Sequence, residues 1–96
     1  MAADEVILPE WVLRLDGNVV ELLHRTGLAY RYHVSHIAVE AERREQEMRL
    51  RVGVEVDGTI VGGAQLEVPP GQQASVEALF ERARMRREQA AEPPQG

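Results

Sequence analysis

A chain of 96 residues, 44% hydrophobic and 28% charged, has room for one small domain but not two, and this balance excludes a disordered or fibrous protein. The absence of cysteine rules out a disulfide framework, a thiolate metal site and a cysteine nucleophile. A formal charge of −5 repels polyanions and anionic lipid across the surface, so nucleic acid, membranes and phosphoinositides are not the expected partners.

Residues 1–10, "MAADEVILPE", read as a partly ordered lead-in, acidic where an export signal would be basic. Apolar runs are only a few residues long, far short of the roughly 20 needed to cross a bilayer, and the expected location is the cytoplasm. All the non-histidine bases are arginine, and alanine, valine and glycine are abundant, a pattern of GC-rich coding that hints at a bacterial source.

"WVLRL" followed by Asp16-Gly17-Asn18 and "VVELLHR" reads as a hairpin, with Trp11 covering one end of the core. Asn18, Glu21 and Gly27 also suit the two ends of a short helix over 18–26, but the β-branched pair Val19-Val20 favours a strand. In "AYRYHVSHIAVEAE", Tyr30, Tyr32 and Val34 share one face, whereas Ile37, Val39 and Ala41 have the opposite parity. Such a slip flips every side chain unless the chain bends, so Ser35-His36 is predicted to be a corner. "ERREQE", residues 42–47, reads as a solvated loop.

Met48, Leu50, Val52, Val54 and Val56 then alternate strictly with polar residues or glycine, Asp57-Gly58 supplies a turn, and Ile60, Ala64, Leu66 and Val68 form the return strand. Gly62-Gly63 within it marks a bulge or bend rather than a phosphate loop. Pro69-Pro70-Gly71 ends the sheet, and Val76, Leu79, Phe80 and Ala83 define an amphipathic helix over about five turns. Its C-terminal half carries Arg82, Arg84, Arg86 and Arg87, where cations complement the helix dipole. Residues 91–96 read as a frayed tail.

Few residues gather for chemistry. His33 and His36, with His24 or Glu40 as a third ligand, converge only if the corner folds back, so no metal site is expected. Ser35 lies between those histidines but lacks the context of an activated nucleophile. No catalytic residue, cofactor or small-molecule substrate is expected. Two features remain as candidate partner-binding residues: Tyr30 and Tyr32 on one strand face, and the arginine group Arg82, Arg84, Arg86 and Arg87. The plainer readings are core aromatics and a solvated helix face with Glu77, Glu81 and Glu88 beside Arg84.

The elements sum to an α+β, mainly β chain: an antiparallel meander of about six strands, forming a bent sheet or partial barrel, covered by one C-terminal helix. This order, with "LRLDGNVVEL" leading, a strand breaking into "HVSHIAVEAE", a long final hairpin and a helix after "PPG", resembles the small bacterial members of the pleckstrin-homology-like superfamily. The resemblance is one of layout and spans residues 11–90. It implies a seven-stranded barrel capped by the helix, no catalysis, and phosphoinositides, peptides or partner domains as ligands. Its phosphoinositide-binding members place basic residues around the first hairpin. Here Asp16-Gly17-Asn18 is flanked by Arg14 and Glu21, so that cradle has no counterpart. The expectation is a protein-interaction or assembly module that binds a protein partner or associates with itself, the alternative being a small nucleic-acid-binding regulator using the helix arginines.

Overall fold

The computed structural model of the protein describes residues 4–91. Four strands, β1 (Asp4–Ile7), β2 (Trp11–Asp16), β3 (Val19–His24) and β4 (Ala29–His33), form one antiparallel sheet in the order β1-β2-β3-β4. β5 (Ile37–Arg44), β6 (Glu47–Val56) and β7 (Thr59–Val68) form a second in the order β5-β6-β7. One 3-10 turn (Pro70–Gln72) leads into helix α1 (Gln73–Ala91). Among the described residues no strand of one sheet pairs with a strand of the other, so the two sheets do not close into a barrel.

The core follows from the alternation. Leu13 and Leu15 on β2 stand opposite Leu22 and Val20 on β3, and all four are fully buried. Met48, Leu50 and Val52 on β6 stand opposite Val68, Leu66 and Ala64 on β7. Helix α1 adds Val76, Leu79 and Ala83, one stripe at helical spacing, and the three elements share one apolar cluster with Phe80 at its margin. No helix among the described residues is long and apolar enough to cross a membrane.

Residues 19–24 are a strand: Val20 and Leu22 turn inward, while Glu21 faces out and pairs with Arg31 of β4 at 3.1 Å. The corner lies between β4 and β5, where the chain leaves one sheet for the other. There the His36 amide donates to the His33 carbonyl at 2.9 Å, and the Val34 amide donates to the Asn18 carbonyl at 2.8 Å. The parity change between Tyr32 and Ile37 is this change of sheet.

Two expectations need correction. Among the described residues the strands number seven, because Asp4–Ile7 pairs with β2 from Asp4↔Leu15 to Ile7↔Val12. Over four residues only Val6 turns into the core while Ile7 is 64% exposed, so "DEVI" carries no readable alternation. Residues 42–47 are not a loop. β5 runs to Arg44, Glu45 and Gln46 make the turn with Glu45 at φ 57°, and β6 starts at Glu47. Charge obscures this strand end because Glu42 stands opposite Arg49 and Arg44 opposite Glu47, so neither strand shows an apolar alternation next to the turn.

The glycine pair is a bulge. Register passes from Val52↔Ala64 to Val54↔Val61, so Gly62 and Gly63 on β7 oppose Gly53 alone on β6. Both adopt positive φ, 67° and 85°, and a Cβ on Gly63 would collide with the Val52 carbonyl oxygen. The tail expected at 91–96 lies outside the described residues beyond Ala91.

Candidate functional site

The residues singled out in the sequence occupy several separate places. Tyr30 and Tyr32 share the face of Leu22 and Val20, the residues opposite them on β3, and stack at 6.3 Å with an 11° interplanar angle. Trp11 lies 6.2 Å from Tyr30 and meets His24 edge-on at 4.6 Å. These half-buried rings form one margin of the core. Burial, and then the neighbouring Tyr30, push the Tyr32 phenol above its ordinary pKa.

The four helix arginines do not form one patch. Arg82 pairs with Asp4 of β1 at 2.7 Å, and Arg86 donates to the Gly17 carbonyl in the β2–β3 turn. Arg84 bridges Glu81 and Glu88 along the helix, and its hydrogen bond holds the Glu81 carboxyl below its usual pKa. Arg87 donates to the Ile37 carbonyl at 3.4 Å. Three of these cations thus tie α1 to the sheets. The rings of His33 and His36 lie 6.1 Å apart at the exposed corner, where the Ser35 amide donates to His33 Nδ1 at 3.1 Å. Among the described residues no three His, Asp or Glu side chains are grouped to hold a metal ion.

A different feature arises where β5 runs beside α1. Paired residues share a face, so Val39, Ala41 and Arg43 lie on the face of Val52, Leu50 and Met48, beneath the helix. The result is a hollow of ≈ 520 Å³ with Val39, Ala41 and Phe80 along its apolar wall. An ion pair between Arg43 and Glu77 stands at one end, and the Arg87 contact with Ile37 at the other. A second hollow of ≈ 770 Å³ lies between Pro9–Trp11 and the Glu47 end of β6 and β7, but charged residues and prolines dominate its rim.

Among the described residues the backbone beside the first hollow is unpaired. The Glu55 amide donates to the His36 carbonyl at 3.3 Å, which sets the phase of the β5–β6 ladder. Ala38, Glu40, Glu42 and Arg44 therefore exchange hydrogen bonds with β6, while the amides and carbonyls of Val39, Ala41 and Arg43 point the other way. β5 is an edge strand, so among the described residues these groups face no neighbouring strand. An apolar groove and a row of free backbone donors and acceptors thus lie side by side.

Sequence reasoning found Ile37, Val39 and Ala41 as one apolar set but not the groove. Their parity is local, whereas the position of β5 at an edge and beside α1 depends on topology. Comparison with protein-family models, with curated proteins and with solved structures finds no match to this chain.

Proposed function

We propose that this chain is a non-catalytic protein-interaction module of the pleckstrin-homology-like kind, which takes an extended segment of a partner protein as an added strand on β5. The observation that carries the reading is the unpaired edge at Val39, Ala41 and Arg43 beside the apolar groove under α1. Strand addition draws affinity from main-chain hydrogen bonds and selectivity from alternate side chains that enter a pocket, and this edge offers both. Four strands, then three, then a C-terminal helix also support the pleckstrin-homology-like layout. The scattering of Arg82, Arg84, Arg86 and Arg87 favours this reading over a nucleic-acid-binding helix, which needs its cations on one face.

The test is a proline at Ala41. Its amide points away from β6, so Ala41→Pro removes an outward donor while leaving the β5–β6 ladder intact, a substitution that edge strands accept. Linear peptides selected from a displayed random library on the wild-type protein are expected to shift the Val39, Ala41 and Arg43 amide resonances, and to lose binding to a folded Ala41→Pro variant. Selected peptides that bind both proteins equally, or leave those resonances unmoved, contradict strand addition at β5.

A further inference from the structure

The outer face of β5 adds a charge pattern to this groove. Glu40 and Glu42 stand opposite Arg51 and Arg49 of β6, yet neither arginine pairs with them. Arg49 reaches Glu67 on β7 at 3.8 Å, and Arg51 donates to the Ile60 carbonyl, also on β7, at 3.2 Å. Both guanidinium groups lean away from the free edge. Glu40 and Glu42 are exposed, and among the described residues neither takes part in an ion pair or a side-chain hydrogen bond.

We infer that the segment docking on β5 alternates apolar residues with lysine or arginine, its apolar side chains entering the groove and its basic ones facing Glu40 and Glu42. This rests on strand addition at β5. A strand laid there must present successive side chains to opposite faces. Those beside Val39 and Ala41 meet the apolar wall, and those beside Glu40 and Glu42 meet two carboxylates two residues apart. Opposite charges facing each other across a strand pair are favourable and like charges are not. The net charge of −5 draws a basic segment toward the whole protein as well.

The same charges argue against a second copy as the occupant. An antiparallel two-fold pairing of β5 with itself, centred on Glu40 or on Ala41 so as to cover the groove, sets Glu40 against Glu40 or against Glu42. Each register opposes like charges directly, and two chains of charge −5 add to the repulsion.

Three short end-blocked peptides test the inference. All carry valine at alternate positions, with lysine, threonine or glutamate at the others. Each is titrated into the isotope-labelled full chain, with affinity read by fluorescence anisotropy and location by the Val39, Ala41 and Arg43 amides. The lysine peptide is expected to bind about tenfold more tightly than the glutamate peptide, with threonine between them, and the preference to shrink with salt. The Glu40→Lys/Glu42→Lys variant, altered only on an exposed face, is expected to reverse the order. Equal affinities, or an order that the variant leaves unchanged, with the β5 amides still shifting, would overturn the charge inference and leave strand addition standing. If no peptide moves those amides, both fall.

Discussion

Gly62 and Gly63 are neighbours under different constraints. Both hold a positive φ, but space is open around a Cβ at Gly62, whereas at Gly63 the Val52 carbonyl fills it. Gly62→Ala is expected to cost about 1–2 kcal/mol, the ordinary penalty for a left-handed residue. Gly63→Ala should cost more than about 3 kcal/mol, since the collision adds to the backbone strain. Urea denaturation of both variants decides, and equal losses contradict the bulge geometry. Tyr32 yields a pH prediction. Its folded pKa lies above the ordinary value of 10.0, so the unfolded chain ionises first, and folding contributes stability below that value that is lost as pH rises through the folded pKa. Melting temperature should therefore fall from about pH 9 to about pH 11, and less steeply in Tyr32→Phe. Matching slopes would remove Tyr32 as the cause. At this scale the sequence was informative: paired glycines in an alternating strand already indicated a bulge. Arg43 was not legible, because its partner Glu77 lies on an element whose placement only folding decides.

Legibility at the level of elements follows length and contrast. The ten-residue strands β6 and β7 and the helix were readable because their apolar period repeats several times, whereas β1 offers one inward residue and the end of β5 offers charges on both faces. The helix is held unevenly. Val76, Leu79 and Ala83 are buried, while Phe80 lies half-exposed along the groove. Leu79→Ala is expected to lower stability by about 2–5 kcal/mol, since it opens a cavity where both sheets meet the helix. Chemical denaturation gives the value. A loss under about 1 kcal/mol would mean that α1 is not the lid of this core.

Across the whole molecule, the meander and the C-terminal helix could be read from the sequence, but the site could not. Alternation reveals which face of a strand is buried. It says nothing about which strand ends a sheet, and the groove exists because β5 is such an end and α1 runs alongside it. The tyrosines and arginines stand out in the sequence by residue type, and the structure places the two tyrosines at the core margin, Arg82, Arg86 and Arg87 against the sheets, and Arg84 between two glutamates of its own helix. Every sheet pairing, meanwhile, joins strands that are consecutive in the chain. Each hairpin can therefore form as soon as its own residues are available, with little loop-closure entropy to overcome, which for a mainly β chain predicts fast collapse into two sheets. The helix follows all seven strands, so until it docks the part of the apolar core that it covers stands open to water and to other chains. The moment of greatest aggregation risk is thus the interval between completing β7 and seating Val76, Leu79 and Ala83.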